Sequence, residues 1–245
     1  DTIQNMQKVE DALVSFVSTT QRLPCPADGS LDSGNGNAGL EQRSVAGTCD
    51  AMTTGVVPWR SLGINVADVL DGWQGMLTYR VKPHLTIDGG MNMANCDPAG
   101  TGPVALGTSP PLHLCAAPPT CVGTALNNCT PPATFLTGKG FEIRNLAGAK
   151  LADPAAIPPT GAAFVLISAG PTLGPAYNVS GILIPTTAVV GTGETTNQNN
   201  QALQGYYVDD QLNVTPDATH FDDIVRRPSI STIVTKANLG PRAHF

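Results

Sequence analysis

Charge is scarce in this chain. Asp, Glu, Lys and Arg make up 13% of its 245 residues, roughly half the usual share. The 13 basic residues are scattered against 19 acidic ones, for a net charge of −6, and only Arg226 and Arg227 adjoin. A phosphate binder needs clustered Lys and Arg, so nucleic acid is excluded as a partner. Aromatics are also few, at 5%, which disfavours a stacking surface for sugars. No apolar run reaches the roughly 18 residues needed to span a membrane as a helix. There is no CxxC pair, no GxSxG and no HExxH, so the common zinc-site and hydrolase signatures are missing. Gly100-Thr-Gly102 and Gly191-Thr-Gly193 lack the later Gly and Lys of a phosphate loop and read as turns. Neither a signal peptide nor an internal repeat of 20–50 residues is visible.

What the chain does have is Gly (26), Pro (21) and an even number of cysteines (6). So much Gly and Pro predicts long ordered loops on a modest regular scaffold. Cys25, Cys49, Cys96, Cys115, Cys121 and Cys129 are spaced too loosely for a metal turn. They read as disulfides of an exported protein.

Residues 2–21 carry the clearest periodicity. Ile3, Met6, Val9, Leu13, Phe16 and Val17 recur at three- and four-residue steps, with Gln4, Lys8, Glu10 and Asp11 on the wet side, and Pro24 closes the run. The chain opens within this helix, which predicts further helix upstream, lost with a leader or anchor. Strands are expected at 76–82, at Phe141, Ile143 and Leu146, at 163–168, at 206–208 and at 222–226. The run 181–190 is a candidate strand bent at Pro185, 191–202 a polar loop, and 229–236 a strand or short helix. Residues 83–138 form a Cys/Pro/Gly-rich insertion too poor in large apolar residues for a core of its own. The expectation is one α+β domain over 1–245: a long amphipathic helix packed on an antiparallel sheet.

Few residues point to chemistry. His84, His113, His220 and His244 read as surface or loop histidines. Asp222 and Asp223 follow His220; on a strand they face opposite ways, so the structural reading is that one accepts loop or helix amides. Calcium bound with neighbouring carbonyls is the alternative. Trp59 and Trp73 read as plugs between helix and sheet.

The motifs in order resemble a known family. They are Arg22-Leu23-Pro24-Cys25-Pro26-Ala27, Gly39 and Glu41, Cys49, Pro58-Trp59-Arg60, Asp71-Gly72-Trp73, and Leu77-Thr78-Tyr79. Then come Ser168-Ala169-Gly170-Pro171 and Phe221-Asp222-Asp223-Ile224-Val225. The series is similar to a branch of the type IV pilin-like and pseudopilin proteins, over 1–82 and 139–226 but not the insertion. One step departs, since Gln74 separates Trp73 from Gly75. The resemblance implies a helix laid across an antiparallel sheet, and a structural, non-enzymatic subunit of a pilus or secretion filament. It also implies other such subunits as partners, an upstream hydrophobic half-helix in the inner membrane, and a periplasmic or cell-surface location. No cofactor is implied. Cys25 and Cys49 bracket the first loop and can pair; a bridge closing roughly 25 residues is worth about 3 kcal/mol. The four cysteines of the insertion allow three pairings among themselves. The rival readings are a secreted adhesin or carbohydrate-binding module, and a secreted hydrolase.

Overall fold

The structure is a computed structural model that describes residues 1–50, 54–98, 114–115, 130–186, 190–199 and 205–242. The chain starts with α1 (Thr2–Thr20). No Gly or Pro interrupts this segment. It stops where Gln21 turns left-handed and returns its N–H to Val17 O, three residues before Pro24. The buried stripe is Thr2, Met6, Val9, Glu10, Leu13 and Val17. Two expectations fail here: Ile3 is 65% exposed, because the stripe drifts towards Thr2, and Glu10 is buried rather than wet.

The strands are β1 (Ala27–Asp28), β2 (Gly55–Val56) and β3 (Thr78–Val81); α2 (Pro132–Leu136) precedes β4 (Glu142–Arg144), β5 (Lys150–Ala152) and β6 (Phe164–Ser168). After α3 (Thr192–Asn199) come β7 (Tyr206–Val208), β8 (Ile224–Arg226) and α4 (Ile230–Lys236). Strands β1-β2-β3-β6-β8 form one antiparallel sheet whose members come from both sides of 83–138.

A second sheet, β5-β4-β7, was not expected, and its β4–β7 pair is parallel. The cause lies in β6, all five of whose residues are buried. Its alternation sends Phe164 and Leu166 into the cluster with Met6, Val9, Leu13 and Val17 of α1. Val165 and Ile167 go to the other side, against Phe141, Ile143 and Tyr207. A strand apolar on both faces needs two covers, and the second sheet is the second cover.

Other expectations are also revised. The polar stretch at 191–202 is helical from Thr192 to Asn199, held by polar contacts rather than an apolar stripe. Of the two forms expected for 229–236 the chain takes the short helix, whose start is capped by Ser229, accepting from Thr232 N. Within 181–186 there is an isolated bridge from Tyr177 to Leu183 and no strand. The ends of the insertion are not peripheral: Leu85, Met91, Met93, Cys96, Phe135 and Leu136 join the main apolar cluster. Cys25 pairs with Cys49, and Cys96 with Cys115; Cys121 and Cys129 lie outside the described residues.

Candidate functional site

Three polar knots hold the positions singled out by sequence. At the C-terminal end of α1, Arg22 grips Glu41 with two hydrogen bonds, 2.9 and 2.7 Å, and Glu41 also accepts Cys25 N. This places the Cys25–Cys49 bridge against the helix end. Pro24 contributes its carbonyl, which accepts the buried Tyr79 hydroxyl at 3.1 Å. Burial pushes that phenol well above its usual range.

In the second knot, Asp71 spans the turn before β3. Its Oδ1 accepts Trp73 N and Gly75 N, and its Oδ2 accepts Ser168 Oγ at 2.7 Å. The turn therefore closes despite the extra Gln74, which takes the left-handed conformation at φ 69°. Trp59 is buried as expected, with Pro58 O accepting Leu62 N behind it and the Arg60 guanidinium 4.7 Å from its ring centre. Trp73 is not a plug: it is 38% exposed, because the turn that Asp71 holds lies at the end of the sheet rather than between the layers.

The third knot gathers Glu194, His220, Asp222 and Asp223, all buried. Glu194 sits in the first turn of α3 and accepts Gly191 N (2.7 Å) and Asp222 N (2.6 Å). His220 Nδ1 lies 3.1 and 3.2 Å from its two oxygens. Asp222 accepts Thr172 N and Thr172 Oγ1. It backs onto Gly170, whose positive φ of 57° leaves no room for a side chain: a Cβ there would lie 2.4 Å from Asp222 O. Asp223 turns the other way and accepts Asn197 Nδ2 at 2.8 Å, while Asn197 closes two further bonds with Val208. Burial raises both aspartates, helped by the nearby Glu194 carboxylate. Asp223 reaches about 7.

This geometry bears on calcium. Asp222 and Asp223 do not converge; Asp222 shares a neighbourhood of ligand atoms within 4.8 Å with Glu194 and His220 instead. A hard cation wants six to eight oxygens, whereas this set offers two carboxylates and an imidazole already engaged with amides and hydroxyls. The residues fit calcium poorly. What they do well is fasten α3 and the segment before β8 together.

Buried basic groups lie elsewhere. His84, contrary to expectation, is buried, and its Nε2 accepts Gly140 N at 3.1 Å. Burial and the neighbouring Lys139 and Lys82 push it down to about 4. Lys139 is lowered by burial to about 7, its Nζ 3.5 Å from the Phe135 ring centre. Among the described residues neither His84 nor His220 hydrogen-bonds a serine; His113 and His244 lie outside them.

Sequence reasoning passed over Glu194, Asn197 and the inward role of Glu10. A signal for Glu194 was present: an acidic residue three positions after Gly191 is the back half of a capping box. Glu10 and Asn197 carried none, since their partners are distant in the chain. No family model, no curated protein and no solved structure matches this chain.

Proposed function

We propose that this chain is the head of a type IV pilin-like or pseudopilin subunit, a structural component of a pilus or secretion filament rather than an enzyme. The observation that carries the reading is the lie of α1. Its apolar stripe packs against an antiparallel sheet assembled from both flanks of the 83–138 segment. That is the arrangement the sequence resemblance implies.

Two features give it mechanical sense. A filament subunit must pass load from stalk to head, and α1 is locked at two levels. Glu10 holds Arg226 of β8 and Lys236 of α4, and Arg22 with Glu41 and the Cys25–Cys49 bridge pins the far end. The disulfides suit the oxidising space outside the inner membrane. In this reading the upstream hydrophobic half-helix anchors the subunit and later packs in the filament core, and the partners are other pilin-like subunits.

The test is the sequence encoded upstream of Asp1, with mass spectrometry of the mature N-terminus in native cells. The reading requires a basic leader, cleavage beside Gly or Ala, about 20 apolar residues and a methylated first residue. A plain secretory leader cleaved next to this domain would overturn it.

A further inference from the structure

The five-stranded sheet ends on β8, which has a strand neighbour on one side only. Among the described residues, the backbone groups of Ile224, Val225 and Arg226 that face away from β6 meet no other main chain. All three residues are half-buried. An open edge of this kind is a template for another extended segment, which gains its main-chain hydrogen bonds without needing a particular sequence.

Beside that edge lies a cleft of about 440 Å³. Its lining comes from segments far apart in the chain. Trp73 and Pro171 stand at the end of the sheet nearest the start of α1, where Thr2 accepts Gly72 N; Leu212 and Val214 belong to the segment that follows β7. Trp73, Leu212 and Val214 are 38%, 72% and 71% exposed, so three large apolar side chains face water around one cleft. In a chain with so few exposed aromatics such a cluster marks a contact surface.

The cleft is also acidic. Asp209 and Asp210 line it together with Asp222 and Asp223. Asp209 is held by Arg227 at 2.6 Å. Asp210 takes only backbone N–H groups, from Leu146 and Gln211, and has no cation beside it among the described residues. A ligand that covers the cleft must satisfy that charge as well as the apolar rim.

We propose that the β8 edge and this cleft form a docking site for an extended segment of another protein that carries apolar side chains beside at least one Lys or Arg. The segment adds as a strand to β8, its apolar side chains cover Trp73, Leu212 and Val214, and its cation meets Asp210. The assignment does not depend on the filament reading, because it rests on the edge, the rim and the sign of the charge alone.

The probe is a fluorescently labelled, end-capped hexapeptide, Val-Lys-Val-Lys-Val-Thr, titrated with the full chain and followed by anisotropy. Two analogues accompany it, one with both Lys replaced by Glu and one with Pro at the third position, which removes an edge N–H. Saturable binding is expected, weakening as salt rises. Each analogue is expected to bind at least about tenfold more weakly, equivalent to about 1.4 kcal/mol. The same loss is expected for the parent peptide on the Leu212→Ser/Val214→Ser protein, whose exposed positions leave the fold intact by circular dichroism. Several outcomes overturn the assignment. They are no saturation at millimolar peptide, equal binding of the Pro analogue, equal binding by the double variant, or sedimentation of the chain as a dimer that excludes the peptide. The last would make a second copy the occupant.

Discussion

Glu10 of α1 and Arg226 of β8 are 216 positions apart, and Arg226 Nε stands 2.5 Å from the Glu10 carboxylate. Lys236 of α4 reaches the other oxygen, also at 2.5 Å. One buried carboxylate thus ties the first helix to the last strand and the last helix. Burial alone would raise its pKa, but the two cations outweigh that and hold it below the ordinary carboxylate value. A lowered folded pKa means the stabilisation is present above the unfolded value and lost as pH falls through the folded one.

Glu10→Gln is therefore expected to cost about 1–3 kcal/mol at pH 7. The estimate stays low because Arg226 and Lys236 are 28% and 44% exposed and partly screened. Urea unfolding at pH 7 and pH 3.5 checks it: the gap between wild type and variant should narrow at the lower pH. An equal gap at both would mean that the charge is not what matters.

The contrast between α1 and α3 shows what a sequence can carry. The long helix was legible because its apolar residues repeat at the helical period over five turns, and the strand at 164–168 because it is a bare apolar run. The second sheet was not, since nothing local to Glu142–Arg144 says that it will pair in parallel with Tyr206–Val208, more than 60 positions on. In α3 the anchoring contacts are polar and distant, from Glu194 to His220 and from Asn197 to Val208. A polar stretch without an apolar stripe reads as a loop for that reason. That Asp222 and Asp223 face opposite ways was legible in the sequence; that one meets Thr172 and the other Asn197 needed the fold.

The Cys25–Cys49 bridge spans a sequence separation of 24. Chain-entropy arguments give about 3 kcal/mol for closing a loop of that order. Here the bridge also sits beside the Arg22–Glu41 contact at the end of α1. The Cys25→Ala/Cys49→Ala protein is expected to lose about 3 kcal/mol in chemical denaturation. Under reductant both proteins should lose stability, because the variant keeps the Cys96–Cys115 bridge, and the gap between them should close. A variant as stable as the wild type would show that the loop is held by its other contacts.

Two glycines of the same loop make a controlled pair. Gly39 has φ 72°, and a Cβ there would lie 2.2 Å from the Trp59 ring. Gly36 has open space around it and no positive φ. Gly39→Ala must move a buried indole or the backbone, which is expected to cost about 2 kcal/mol or more and to shift the tryptophan emission. Gly36→Ala should stay within about 0.5 kcal/mol of wild type. Equal effects would mean that the Gly39–Trp59 contact does not constrain this loop.

Asp223 gives the sharpest pH signature. Burial raises it to about 7, with the Glu194 and Asp222 carboxylates adding to the rise against the opposing bond from Asn197 and the charge of His220. The sign is opposite to that of Glu10. An unfolded aspartate ionises near 3.9, so between about pH 4 and pH 7 the folded chain binds the extra proton and stability falls as pH rises. Integrated from pH 5 to pH 8, the loss from this one group is about 3 kcal/mol. Asp223→Asn keeps an oxygen for Asn197 Nδ2 and cannot ionise. The variant should therefore gain on the wild type by roughly that amount across the range, whatever its stability at pH 5. Parallel curves for the two proteins from pH 5 to pH 8 would mean that Asp223 is already charged in the fold and that the contact with Asn197 carries more than burial does.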